Sequence, residues 1–165
     1  MDKETLKNQF ETKYELYGEM LYKIAFLYFG NSYDAEDALQ EVFIKLLYTS
    51  PAFKNAEHEK AWLIRVTQNK CRDMLKTAER KNTVTEATEL SDYAKTESDA
   101  YLDIIKHVTM LPEKYKTAVI LYYYYDYSVS QISQTLKISK SAVKMRLKRG
   151  RDILKIELED YNDEA

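Results

Sequence analysis

The chain has 165 residues, with 25 lysines and arginines against 27 aspartates and glutamates and a formal net charge of −2, a length that suits one ordinary domain or two small ones. A single cysteine, Cys71, excludes an internal disulfide, and two isolated histidines do not make a metal site. No apolar run approaches a membrane span or a signal-peptide core, and three glycines with two prolines leave few breakers, so a cytoplasmic, all-α protein without a cofactor is expected.

In chain order, Leu6, Phe10, Tyr14, Tyr17, Leu21, Ile24 and Tyr28 recur at steps of three and four, which predicts a first long helix ending near Phe29-Gly30. A second helix begins around Ser32 to Asp34. Its buried side reads Ala35, Leu39, Val42, Phe43 and Leu46, while Asp34, Asp37, Glu41 and Lys45 fall away from it. Acids in a first turn complement the helix dipole, which accounts for Asp34, Glu36 and Asp37 but not for Glu41, two turns in. A ridge of Asp37, Gln40 and Glu41 suits a basic helical partner through charge-assisted hydrogen bonds.

A third helix, about Glu59 to Lys76, places Leu63, Thr67, Cys71, Met74 and Leu75 on one side. Arg65, Asn69, Arg72 and Lys76 lie on the other, and Trp62, which reads as a packing residue, sits beside them. A strip mixing cations, an amide and a ring has the composition that single-stranded DNA recognition needs. From Thr77 to about Glu97 the Thr/Glu/Ser/Asp-rich composition lacks apolar periodicity and reads as a flexible linker. Two further helices, Ala100 to His107 and Lys114 to Tyr125, flank Leu111-Pro112. The four consecutive tyrosines Tyr122 to Tyr125, with Tyr127, point in different directions on a helix and read as core packing with phenol oxygens reaching water.

The most informative segment closes the chain. Ser128 and Gln131 form a capping box, with Tyr127 as a staple, ahead of a short helix carrying Val129, Ile132 and Leu136. Ile138 closes a turn, Ser139 caps again, and Val143, Leu147, Gly150, Leu154 and Leu158 share the inner face of a longer helix. At about 100° per residue, Ser141, Lys144, Lys148 and Lys155 lie opposite that face, with Lys140 and Arg151 at its edge and Arg146 and Arg149 on the flank. From Lys137 to Lys155 there are eight basic residues against the single acid Asp152. This is the pattern of a helix-turn-helix, with Ser141 and Lys144 placed to approach base edges in the major groove. The turn Leu136-Lys137-Ile138 puts lysine where glycine or asparagine adopts the left-handed conformation more easily.

Charge is distributed unevenly: residues 1–76 are near neutral, the middle is acidic and the last long helix is basic. This asymmetry argues for two modules of which only local surfaces meet nucleic acid. The expected architecture is two small helical domains, 1–76 and 98–165, joined by a flexible linker at 77–97, the second a helix-turn-helix domain.

Together the two halves resemble the sigma-70 family of bacterial RNA polymerase specificity subunits, in particular its short extracytoplasmic-function (ECF) group. Asp34 to Phe43 is similar to the family's Asp-Ala-Glu-Asp-x-x-Gln-Glu-x-Phe signature, Ala61 to Asp73 to its promoter-melting helix, and Leu111-Pro112 with Ser139 to Leu154 to its C-terminal domain. The resemblance implies that Asp34, Asp37, Gln40 and Glu41 bind core RNA polymerase. Trp62, Arg65, Asn69, Arg72 and Lys76, with the loop from Pro51 to His58, would bind the opened strand at the minus-ten element. Ser139, Lys140, Ser141, Lys144, Arg146, Lys148 and Arg149 would read or clamp the minus-thirty-five duplex. It further implies an anti-sigma factor partner, no catalytic residue, no metal and no membrane insertion. Gly150 stands where the family often has alanine. A stand-alone helix-turn-helix regulator would account for the C-terminal half but leaves the acidic ridge and third helix unexplained. A nuclease would need a metal or acid–base cluster, whereas the carboxylates sit at a helix start or in the linker.

Overall fold

The computed structural model describes residues 2–49, 51–80 and 99–162, and side chains within 2–49, 51–77 and 105–155. The described residues form helices α1 (Lys3–Phe29), α2 (Ser32–Thr49), α3 (Ala56–Arg80), α4 (Asp99–Met110), α5 (Glu113–Tyr123), α6 (Val129–Leu136) and α7 (Lys140–Asn162), without a strand. The chain divides into two compact units, Met1–Thr85 and Glu86–Ala165.

In the first unit α1, α2 and α3 all pack against one another. The Asp2 carboxylate caps α1 by accepting from the Thr5 N–H at 2.7 Å. Gly30 ends α1 at φ 73°, a left-handed conformation that only glycine adopts freely, and its N–H bonds Phe26 O at 2.7 Å. The expected apolar stripe is buried from Tyr17 onward, but Leu6 and Phe10 are only half-buried, and Tyr14 is exposed with its ring against Phe10 and Phe43. On α2 the core side is Ala35, Ala38, Leu39, Val42, Phe43 and Leu46.

Asn55 caps α3, accepting from the His58 N–H at 2.8 Å, so the helix starts three residues before the position expected from periodicity. It also continues through Arg80, because Ala78, Glu79 and Arg80 are strong helix formers. The rest of the expected linker lies outside the described residues. Glu59, buried in the first turn of α3, accepts from Lys13 Nζ at 2.7 Å and from the Tyr17 hydroxyl at 2.9 Å, which ties α3 to α1. Burial, and then the Glu59 carboxylate, push the Tyr17 phenol up to about 12.

Thr67 is fully buried in α3, and its hydroxyl has no hydrogen-bond partner. An orphaned buried hydroxyl forfeits its solvation without compensation. Thr67→Val, which keeps the β-branched shape, is therefore expected to stabilise the first unit by about 1 kcal/mol, read as a higher denaturation midpoint at unchanged helicity.

In the second unit α7 packs on α4, α5 and α6, and α5 is buried continuously from Tyr115 to Leu121. Lys116 is buried too, and its ammonium donates to Thr109 O at 2.7 Å, placing a cation at the C-terminal end of α4. The tyrosine run departs from the sequence expectation. Tyr122, Tyr123 and Tyr124 are exposed, because the core side of α5 is already filled by Tyr115 to Leu121 and the helix ends at Tyr123. Tyr125 and Tyr127 are half-buried.

The capping box before α6 is present in both directions: Gln131 N–H donates to Ser128 Oγ at 3.0 Å and Ser128 N–H to Gln131 Oε1 at 2.8 Å. Lys137 ends α6 at φ 55°, ψ 46°, with its N–H on Ser133 O. The strained turn is held further by Ser133 Oγ, which donates to Ile138 O at 2.6 Å. Ser139 Oγ then accepts from the Ala142 N–H at 3.0 Å and opens α7. Ile132, Leu136, Val143 and Leu147 are buried between the two helices, while Leu154 is half-buried and the Leu158 side chain lies outside the described residues. Gly150 meets α5 at close range: a Cβ there would lie 2.7 Å from Val119 Cγ2.

Candidate polymerase and nucleic-acid interfaces

The expected site residues fall on three exposed strips. On α2, Asp37, Gln40 and Glu41 are exposed. Glu41 Oε2 stands 3.6 Å from Lys70 Nζ on α3, an open ion pair that water screens and that leaves the carboxylate accessible. Asp34 differs from the others. It is half-buried, its Oδ2 accepts from Asn31 Nδ2 at 2.9 Å and its N–H donates to Asn31 Oδ1 at 2.8 Å. Asp34 thus helps to close the start of α2 reciprocally, a local task that complements the helix dipole.

The same strip carries three residues that periodicity alone did not single out. Tyr33 (77% exposed), Ile44 (48%) and Tyr48 (86%) lie on it at offsets of 0, 11 and 15 residues, within one flank of the helical wheel shared with Asp37, Gln40 and Glu41. The acidic ridge is therefore bordered by apolar surface. Apolar residues in an amphipathic helix are naturally assigned to the core, which is why the strip reads as purely polar from sequence.

On α3, Trp62, Arg65, Asn69, Arg72 and Lys76 follow one another at steps of three and four on one face. Asn69 and Lys76 are exposed and the other three half-buried. Burial holds the Arg65 guanidinium below its ordinary range, yet it stays a cation at neutral pH. The loop leading into α3 is built around aromatic contacts: the Phe53 ring stands edge-on to His58 at 5.4 Å and to Trp62 at 5.7 Å. Lys54 N–H donates to His58 Nδ1 at 3.1 Å, which fixes the loop against the helix start. Trp62 thus does pack, as its sequence position suggested, and its packing partner Phe53 joins the strip as a second ring.

On α7, Ser139, Lys140, Ser141, Lys144, Lys148 and Arg149 are exposed and Arg146 is half-buried. Among the described residues, no ion pair neutralises Lys140, Lys144, Arg146 or Lys148, so the outward face keeps its positive potential. Two of the residues also have internal tasks. Ser139 caps the helix, and Arg149 reaches Tyr115 on α5. Burial pushes the Tyr115 phenol up, but hydrogen bonds from Arg149 and Lys114 and their charges outweigh it and leave it below its ordinary value. Among the described residues, no group of three or more histidine, cysteine or carboxylate side chains is arranged to hold a metal ion, and no helix is long and apolar enough to cross a membrane.

Residues 14–81, which include the α2 and α3 strips, match Sigma-70 region 2, and residues 102–154, which include α5, α6 and α7 as far as Leu154, match Sigma-70 region 4. The RNA polymerase sigma factor SigV of Bacillus subtilis is 30% identical over 83% of this chain and 83% of its own length. The chain belongs to the sigma-70 family, in its ECF group. The ECF RNA polymerase sigma factor SigW of the same organism is 27% identical over 88% of this chain and 87% of its own. The sigma factor RpoE of Bartonella quintana, solved in complex with the anti-sigma factor NepR, shares the fold, with a TM-score of 0.71, 20% identity and coverage of 92% of this chain and 97% of that one. As a sigma factor the protein directs RNA polymerase to promoters, and the three strips are where its contacts are to be sought.

Proposed function

We propose that the α2 strip docks on core RNA polymerase through Asp37, Gln40 and Glu41, that the α3 strip holds the opened strand at the minus-ten element, and that α7 reads the minus-thirty-five duplex. The observation that carries this reading is the exposed acidic ridge beside a strip of cations, an amide and aromatic rings within one three-helix unit. A free-standing helix-turn-helix regulator has no use for either. The first strip offers charge-assisted acceptors to a basic helical surface. The second offers guanidinium groups for phosphates and aromatic faces for unstacked bases.

Opening of the duplex is then selection of a bound state: held bases compensate an unstacking cost of a few kcal/mol. Once both units sit on one polymerase, the second DNA contact becomes effectively intramolecular. The polymerase supplies the nucleotidyl-transfer chemistry, and the factor acts in the cytoplasm without a catalytic residue of its own. An anti-sigma factor that covers these faces is its proposed inhibitor.

The test is run-off transcription from a genomic fragment library by sigma-free bacterial core polymerase. Addition of the protein is expected to produce a small set of discrete starts sharing two upstream elements. Tight, sequence-specific binding of the free protein to those fragments without polymerase, and no new starts, would return the reading to an independent regulator.

A further inference from the structure

Among its described residues, the outward face of α7 carries one large apolar side chain among polar and basic ones. Met145 is 48% exposed, with Ser141 one turn before it, Lys148 and Arg149 one turn after it, and Lys144 beside it, all exposed. It is not needed for packing, because Val143 and Leu147 fill the inner face beneath it. It lies in the second turn of the helix, within the stretch that reaches base edges when a reader helix enters the major groove. There, donors and acceptors are matched by polar side chains, and the largest apolar feature of the groove edge is the 5-methyl group of thymine. A thioether chain with three rotatable bonds and weak hydrogen-bonding capacity suits that methyl group better than any donor or acceptor on the base edges.

We propose that Met145 is a specificity-determining residue that reads the 5-methyl group of a single thymine in the minus-thirty-five duplex. The proposal rests on the reading of α7 as the duplex-reading helix. A buried methyl group contributes about fourfold in affinity, so the preference is modest and confined to one base pair.

The probe is a promoter duplex selected by the holoenzyme from a library randomised across the minus-thirty-five element, with each thymine in turn replaced by deoxyuridine, which removes the methyl group alone. With wild-type holoenzyme, one replacement is expected to weaken binding about fourfold. Met145→Ala should lose about the same factor on the thymine duplex and show no further loss at that position, the pattern of two partners in one contact. Met145→Leu should keep the sensitivity. Since Met145 is exposed, all three proteins should melt alike. An equal deoxyuridine penalty in wild type and Met145→Ala, the lack of any sensitive position, or a selected element without an A·T pair would each overturn the assignment of Met145 while leaving α7 as the reader. A holoenzyme that selects no sequence at all in this element would instead sink the reading of α7.

Discussion

Holoenzyme assembly is expected to fall by more than about 100-fold when Asp37 and Glu41 are both replaced by arginine, because each charge-assisted hydrogen bond contributes about 1.5–3 kcal/mol and reversal adds repulsion against a basic partner. Both side chains are exposed and neither fills the core, so the variant should keep its helicity. The competing account, in which these acids serve only the α2 dipole, makes a different forecast: about 0.3–1 kcal/mol of lost stability for Asp37, next to nothing for Glu41 two turns in, and normal co-elution with core polymerase. Because arginine at position 41 would also confront Lys70, now 3.6 Å from the Glu41 carboxylate, Glu41→Gln provides the cleaner companion. It removes the charge without reversing it and should weaken assembly by about tenfold. Co-elution of the double arginine variant at the wild-type level would remove the acidic ridge from the polymerase interface.

How much of this was legible in the sequence differs from strip to strip. The capping box at Ser128 and Gln131, the caps at Ser139 and Gly30, and the buried faces of α2 and α6 follow from local rules that short-range chemistry enforces. The left-handed turn at Lys137 was legible for the same reason, since a three-residue turn between two capped helices leaves the backbone little choice. What sequence periodicity missed depends on which apolar residues the fold leaves uncovered. The helical wheel already groups Tyr33, Ile44, Tyr48 and Met145 with outward polar residues, but their apolar character leaves open whether a neighbouring element covers them, and only the fold shows them exposed. The exposed Tyr122, Tyr123 and Tyr124 have the same origin, because the core that would have received them is already filled by the preceding turns of α5. Internal partners were equally invisible. That Asp34 bonds Asn31, or that Arg149 reaches Tyr115, depends on rotamers and tertiary proximity rather than on spacing.

Gly150 shows the difference most sharply and supports the second large expectation. From helix propensity alone, Gly150→Ala should stabilise α7 by about 1 kcal/mol. The packing reverses that sign. The new Cβ would stand 2.7 Å from Val119 Cγ2 and 3.6 Å from Tyr115 Cβ, and a valine in mid-helix has little rotamer freedom with which to retreat. Overpacking of this kind costs about 1–3 kcal/mol, so Gly150→Ala is expected to destabilise the second unit by about 1–2 kcal/mol after the propensity gain is subtracted. Val119→Ala alone should also destabilise, by leaving a void. The double variant should recover much of the loss, because the alanine methyl group at 150 occupies space that Cγ2 vacates, with a coupling of about 1–2 kcal/mol in a double-mutant cycle from denaturant midpoints. Strict additivity would mean that the two helices do not touch at this point. On the proposed reading of α7 as the duplex-reading helix, the contact bears on DNA recognition too. Arg149 adjoins Gly150 and reaches Tyr115, so any shift of α7 that relieves the clash moves the basic face as well. The single variant should therefore lose minus-thirty-five selectivity along with stability, and the compensated pair should regain both.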